Sequence, residues 1–473
     1  MTLEGLFPGL DLGPAGGIKV KGLAWDSRRV LPEEVFFALP GREHDGHRFI
    51  PQAVERGAVA VVGERELSWV PVPYLRVEDA RAALALAAAA FYGHPTHKLT
   101  AIGVTGTNGK TTVVYLLGQL LPKCATLTTV RVEEEGLSCV TTPEAPDLQR
   151  VAARAVAQGK RFFAFEASSI GLAQRRLEGV RLAGAVFTGL TRDHLDFHRT
   201  MEDYLRAKLR LFGLLPQEGW GVVSAADPHA DLFLAATPGE KLTYGISQGD
   251  VRAEGVSELP WGIECTLVLP DGRVSLRLPF PGEFNLENAL AAAAVAHLLG
   301  LSREEIARGL SRATLPPGRL QRFRAGSGAE VVVDYAHTPD ALARVLRLLR
   351  PRARRLVVVF GAAGDSDRGK RPSMGRVVGE LADLAIVTTD NPKREDPLAI
   401  AEQVARGLEE AGADYEIELD RPAAICRALT RCRAGDILLI AGKGHERYQL
   451  TAEGKRPYSD AGFLVQSGLA GPV

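Results

Sequence analysis

Residues 101–117, AIGVTGTNGKTTVVYLL, constrain this chain more than any other stretch. A short apolar run, a turn holding Gly106 and Gly109, and a helical run opening on Lys110, Thr111 and Thr112 read as strand, loop and helix in succession. The glycines let the backbone of Gly106, Thr107, Asn108 and Gly109 curl until successive N–H groups face one point. Lys110 adds positive charge there, Thr111 offers a hydroxyl to Mg²⁺, and the helix N-terminus adds its dipole. Such a loop cradles phosphate. Its spacing departs from G-x-x-x-x-G-K-[ST], because Val104 stands where that pattern has its first glycine.

Around this loop the chain divides into three α/β parts, in keeping with 473 residues at roughly 150 per domain. Residues 1–98 hold strand-like runs (VFFAL, AVAVVG, YLRV) and an alanine-rich helix, closed by HPTHK. Over residues 99–315 apolar strands alternate with helical periodicity, which implies a parallel sheet covered by helices. Residues 242–281 (LTYGI, ECTLVL, VSLRLPF) read as antiparallel strands added to it. After TLPPGR, residues 316–473 place four apolar strands (EVVVDYA, RLVVVFGAAG, LAIVTTD, DILLIAG) between helices, a Rossmann-like doubly wound unit whose ligands belong beyond the strand C-termini.

Basic and acidic residues number 57 each, so there is no positive field to hold a nucleic-acid backbone. The N-terminus has no basic region followed by an apolar core, and the longest apolar run, near residues 82–91, is too short to span a bilayer; a cytoplasmic monomer without membrane insertion is expected. Cys124, Cys139, Cys265, Cys426 and Cys432 form no C-x-x-C pair and read as reduced thiols. Only four asparagines occur, Asn108, Asn285, Asn288 and Asn391, each within a segment that looks chemical on other grounds.

Three segments can complete a nucleotide site. FFAFEASS ends an apolar strand on Glu166, GLTRDHLDFH sets His194 after another, and MEDYLRAKLRLF carries Lys208 on a helix. Taken singly these read as a capping carboxylate, a loop histidine and a solvated lysine. With G-x-x-G-T-N-G-K-T they resemble the Mur ligase family, ATP-dependent enzymes that join an amine to a carboxylate, and more distantly the folylpolyglutamate synthetases.

The resemblance implies that Thr111, Glu166 and His194 hold Mg²⁺, and that Lys208 carries a CO₂-derived carbamate, an oxygen ligand of the kind magnesium takes. Lys110, Glu166, His194, Lys208 and Arg319 would be catalytic. ATP would be held by Gly106 to Thr112, by Asn288 opening the helix of GEFNLENAL, and by Arg319, Asp334 and His337. Residues 1–98 look like the uridine-nucleotide domain of the family's tripeptide- and pentapeptide-forming branches, with Ser27 and Asp45 matching. Thr141, Thr142, Ser168, Gln174 and Arg176 match positions that grip a UDP-muramyl-dipeptide. The implied partners are UDP-N-acetylmuramoyl-L-alanyl-D-glutamate and a diamino acid held by Arg371, Asp390, Asn391, Lys393, Gly442 and Glu446.

In TTDNPKREDP, Lys393 occupies the place where diaminopimelate-adding members have arginine, and a lysine lacks the bidentate grip on a distal carboxylate. L-Lysine or L-ornithine is therefore favoured, with Asp390 and Glu446 for the distal ammonium; meso-diaminopimelate stays open. Another amide ligase of this kind, or a non-enzymatic ATP switch, are the rival readings.

Overall fold

The computed structural model describes residues 1–41, 44–134, 137 and 141–473. Three sheets carry the architecture. In the first, β1 (Gly22–Ala24), β2 (Glu34–Phe37), β3 (Ala60–Gly63) and β4 (Tyr74–Arg76) lie in that order, all parallel. The helix Ala80–Phe91 closes over them, the Asp79 carboxylate accepting the Ala82 N–H and Glu64 that of Ala80.

The second sheet has nine strands: β5 (Thr100–Thr105), β6 (Cys124–Leu127), β7 (Phe162–Glu166), β8 (Gly184–Phe187), β9 (Trp220–Ser224), β10 (Lys241–Gly245), β11 (Val251–Leu259), β12 (Gly262–Leu269) and β13 (Gly272–Leu278). Their spatial order is β13-β12-β11-β10-β9-β8-β5-β7-β6. Pairing is parallel from β6 to β11, and only β11, β12 and β13 are antiparallel. LTYGI is thus a parallel strand, contrary to expectation, and the antiparallel extension starts one strand later, at a segment whose polar outer residues hid it. Helices Lys110–Leu120 and Glu283–Leu298 cover one face, and Ala145–Ala157 and Met201–Gly213 cover the other. The strands β5, β7 and β8 are buried throughout but for Thr100, as a sheet covered on both faces requires.

In the third part, β14 (Gln321–Ala325), β15 (Glu330–Asp334), β16 (Leu356–Phe360), β17 (Leu384–Val387), β18 (Tyr415–Ile417), β19 (Ile437–Ala441) and β22 (Ala470–Pro472) form a sheet of order β18-β17-β16-β19-β15-β14-β22. β14 and β22 are antiparallel additions to a parallel core. A separate hairpin, β20 (Tyr448–Thr451) and β21 (Gly454–Pro457), folds over the carboxyl ends of the core strands. Four of the cysteines are free thiols; Cys139 lies outside the described residues. No helix among the described residues is long and apolar enough to cross a membrane.

The third part is docked on the second. The guanidinium of Arg322 lies 3.8 Å above the Trp261 ring at the β11–β12 turn, Arg352 pairs with Glu258, and Arg344 bridges to Glu287.

Candidate active site

The phosphate loop leaves β5 at Thr105 and enters its helix at Lys110. Gly106 has φ +143°, and a Cβ there would stand 1.9 Å from Thr188 Oγ1; at Gly109, φ +88°, it would stand 2.4 Å from Asn288 Oδ1. Both positions exclude a side chain, which explains the glycines at the level of packing as well as backbone freedom. Thr188 Oγ1 donates to Asn108 O at 2.6 Å and holds the loop from the end of β8. Lys110 Nζ folds back to donate to Gly106 O and Thr107 O at 2.9 and 2.8 Å. Burial lowers its pKa, with Arg319 assisting and Glu166 and Asp193 opposing.

Glu166, the last residue of β7, is buried at the mouth of this loop. Its Oε1 accepts from Thr111 Oγ1 at 2.9 Å and from Thr129 N and Oγ1 at 2.8 and 3.2 Å. A strand that ends here delivers its carboxylate to the helix hydroxyl because β5 and β7 are adjacent and parallel. Lys208, on the opposite side, is 1% exposed and donates to Gly106 O at 2.6 Å, with its ammonium 4.4 Å above the Tyr204 ring. Burial, then repulsion from Lys110, holds its pKa well below that of an ordinary lysine. His194 has a left-handed backbone, φ +55°, and a ring 6.1 Å from Tyr204. Desolvation and then the nearby lysines lower it to about 4, against the pull of Asp193.

Thr111, Glu166, His194 and Lys208 thus surround one loop. Among the described residues no group of three or more His, Cys, Asp and Glu forms a ready metal cage. That fits magnesium, which takes one or two protein carboxylates and fills its shell with phosphates and water.

A cleft of about 260 Å³ opens beside the loop, lined by Asn108, Gly109, Thr112, Asn285, Asn288, Arg319 and Asp334, and also by Thr188, Asp227 and Tyr244. Asn288 does not open its helix as expected: the helix starts at Glu283, and Asn288 sits a turn further in, where it faces Gly109. Arg319 stacks 4.7 Å above Tyr335, and the buried Asp334 accepts the N–H groups of Leu320 and Ala336. Asp334 therefore shapes the linker turn from the wall of the cleft. His337 Nδ1 lies 2.8 Å from Tyr335 O. Tyr335, Tyr204, Thr188 and Asp227 carried no signal in a lone sequence, since each reads as ordinary strand-end or helix chemistry.

Next to Glu166, Thr142 Oγ1 donates to Glu166 O at 2.8 Å and accepts from Ser168 N at 2.8 Å. Arg176 donates to Thr142 O and Gln174 Oε1 and pairs with Glu144 at 2.9 Å. Thr141 adjoins this cluster along the chain, half-buried. Ser27 and Asp45 are elsewhere, beyond the carboxyl ends of β1 and β2: Ser27 Oγ donates to Gln52 Oε1 at 2.7 Å, and Asp45 Oδ1 accepts from His47 N at 3.0 Å. Arg175 of the second part pairs with Asp79 of the first at 2.7 Å.

In the third part Asp390, Asn391 and Glu446 converge on a residue the sequence reading passed over. Lys443 is fully buried and donates to Glu446 Oε2 at 2.8 Å and Asn391 Oδ1 at 3.0 Å, and lies 3.6 Å from Asp390 Oδ1. The carboxylates assigned to a distal ammonium already face an ammonium of the chain itself. Asp390 Oδ1 accepts no hydrogen bond. Gly442, φ +111°, allows the approach, since a Cβ there would stand 2.7 Å from Asp390 Oδ2. Lys393 Nζ donates to Asp365 O at 3.3 Å.

Arg371 departs from expectation. It is 0% exposed, its guanidinium forked onto Glu395 and bonded to Gln403 Oε1 and Ala363 O, so it braces the loop; only its buried Nε has no partner. Arg368, with a side chain 68% exposed, is the arginine of that loop with a free face.

Known proteins place these features in one family. Residues 104–296 match the Mur ligase middle domain, 318–444 the Mur ligase glutamate ligase domain, and 19–92 the Mur ligase family catalytic domain. The chain is 43% identical over 464 residues to the UDP-N-acetylmuramoyl-L-alanyl-D-glutamate--2,6-diaminopimelate ligase of Gloeobacter violaceus, covering 96% of this chain and 94% of that one. A UDP-N-acetylmuramyl-tripeptide synthetase of Roseiflexus is 42% identical over 460 residues, covering 90% of each. A solved diaminopimelate ligase superposes with a TM-score of 0.67 at 32% identity, covering 99% of this chain and 98% of that one. With relatives of this identity matched almost end to end, the chain belongs to the Mur ligase family.

Proposed function

We propose that this ATP-dependent ligase joins a diamino acid to the D-glutamate of UDP-N-acetylmuramoyl-L-alanyl-D-glutamate, a step in building peptidoglycan precursors. The observation that carries the reading is Glu166. One buried residue accepts from Thr111 of the phosphate loop on its carboxylate and from Thr142 of the adjacent cluster on its backbone carbonyl. Nucleotide phosphates and the substrate carboxylate can therefore meet around a single residue.

The chemistry requires the substrate γ-carboxylate to attack the γ-phosphate of ATP, and the amine of the diamino acid then to displace phosphate from the acyl phosphate. The loop N–H groups, Lys110 and Arg319 face the charge that moves during transfer; no side chain need act as nucleophile. The docked third part excludes water from the reactive acyl group. Magnesium, held by Thr111, Glu166 and His194, would neutralise phosphate charge. Lys208 as an ammonium would repel that ion. As a carbamate it would supply an oxygen ligand, and its depressed pKa favours the neutral amine that captures CO₂.

For the amino acid, the relatives' names carry 2,6-diaminopimelate, which is the first reading. A second, L-lysine or L-ornithine, is favoured by Lys393 in the arginine position and by Asp390 Oδ1, which accepts no hydrogen bond and lies 3.6 Å from Lys443 Nζ. Phosphate release and amide formation with the three amino acids in competition test both. Preference for diaminopimelate overturns the reading of Lys393, and release of phosphate without dependence on any acceptor overturns the ligase.

A further inference from the structure

The strongest unexplained feature is an ion pair that crosses the docked units. Lys370 Nζ, from the third part, lies 3.1 Å from Asp193 Oδ1, from the second, and each side chain is only 7% exposed. Lys370 is the first residue of the helix Lys370–Leu381, where the helix dipole disfavours a cation. Its burial there makes sense only with a carboxylate supplied from outside the helix. The fit is close: a Cβ on Gly369 would stand 2.5 Å from Arg192 Nη2, and Arg192 in turn donates to Asp367 Oδ2 at 3.3 Å.

Asp193 does more than answer Lys370. The same Oδ1 accepts the backbone N–H of His194 at 2.9 Å, and Oδ2 lies 3.5 Å from His194 Nε2. His194 keeps a left-handed backbone, φ +55°, which a non-glycine residue holds only where its surroundings impose it. One carboxylate thus links a lysine of the third part to the strained residue beside the phosphate loop. If the units part, Lys370 and Asp193 are hydrated separately; leaving either buried alone would be costly. Docking and pairing are therefore one event.

We propose that Lys370 is a positioning residue: by pairing with Asp193 it sets His194 against the phosphate loop only when the third part is seated. This rests on the ligase reading above and adds how the site is kept incomplete until closure. It would limit hydrolysis of the activated acid in the open form.

The test compares K370M, K370R, D193N and the double variant K370M/D193N in the full chain. Small-angle scattering with a non-hydrolysable ATP analogue reports compaction, nucleotide titration reports affinity, and amide formation gives kcat and KM separately. K370M is expected to stay expanded and to lose on the order of 30-fold in kcat, a coupling of the size seen between residues in contact. Its nucleotide affinity should fall much less than kcat, by no more than the share of binding that closure contributes. K370R should recover most of the compaction, and the double variant should be no worse than either single one. A K370M protein as compact and as fast as the parent overturns the proposal, as do losses that multiply in the double variant. If the parent forms no amide with any diamino acid, the ligase reading fails, while scattering still decides whether the pair governs closure.

Discussion

Replacing Lys443 by methionine should destabilise the third part in a way that depends on pH. The substitution keeps the length of the side chain and removes its donors to Glu446 Oε2 and Asn391 Oδ1 at 2.8 and 3.0 Å. Asp390 and Glu446 then share a buried site without their ammonium, since Arg421, which also acts on Asp390, is forked onto Asp460, and breaking one partner of such a pair costs about 3–5 kcal/mol. Protonation sets a ceiling on that cost. Burial already raises the Glu446 pKa against the pull of Lys443, and Asp390 adds to the rise. Without Lys443 it rises further, so the folded protein takes up a proton that the unfolded chain, with its glutamate near 4.5, does not hold. At ~1.4 kcal/mol per pH unit, the penalty is capped at about 4 kcal/mol at pH 7.5 and at about 1.4 kcal/mol at pH 5.5. The sign follows from a folded pKa above the unfolded one: stability is present at low pH and lost as pH rises. Because a chain of three parts need not unfold in one step, hydrogen exchange of amides in β16 and β19 is the proper readout, corrected for intrinsic rates. A loss equal at both pH values, or none at pH 7.5, would refute the account of Lys443 as the counter-charge of this pocket.

Gly106→Ala should weaken nucleotide binding at least tenfold. Strain at φ +143° costs ~1–3 kcal/mol, and Thr188 must give up its bonds to Asn108 O and Thr105 O at ~1 kcal/mol each. In a T188A background, isothermal titration should show a smaller loss, and an equal loss would contradict the steric argument. Removing CO₂ from the buffer should lower turnover, with bicarbonate restoring it and K208R showing neither response; indifference of the parent to CO₂ counts against the carbamate. His194 should titrate by NMR near pH 4, well under an ordinary histidine. Since its folded pKa is depressed, acidification from about 6.5 towards 4 should erode stability, and a midpoint near 6.5 would show the ring to be freely solvated.

Sequence periodicity was enough for the fully buried parallel strands, since runs such as FFAFE and LVVVF are buried along their whole length and have few other ways to fold. It failed where burial is partial. β11 has exposed residues over much of its length, and β14, β18 and β22 are short or lie at or next to an edge of their sheet. The same divide runs through the site. Gly106, Lys110 and Thr111 were legible because loop, charge and hydroxyl are adjacent in sequence. Lys443 and Lys370 were not, because their meaning lies in carboxylates that are distant along the chain, Asp390 and Asp193. Arg371 misled for the converse reason: a guanidinium beside a predicted ligand loop looks like a substrate clamp, and only its fork onto Glu395 shows it to be internal.

These buried pairs bear on how one fold can activate an acid without wasting it. Lys370 and Asp193 meet across the junction between the second and third parts, and Asn108 of the phosphate loop itself donates to Asp340 across that junction at 3.0 Å. A loop that contacts both the nucleotide site and the opposing unit is sensitive to whether that unit is present. Asp340 also receives Arg344, which in turn holds Glu287 on the helix that lines the nucleotide cleft. Cutting Asn108 back to alanine should therefore weaken docking as well as nucleotide binding. Scattering and titration can be compared with D340N, which removes the charge facing Arg344 but leaves the loop intact. If N108A alters affinity while compaction is unchanged, loop and junction are independent, and closure must be sensed through Asp193 alone.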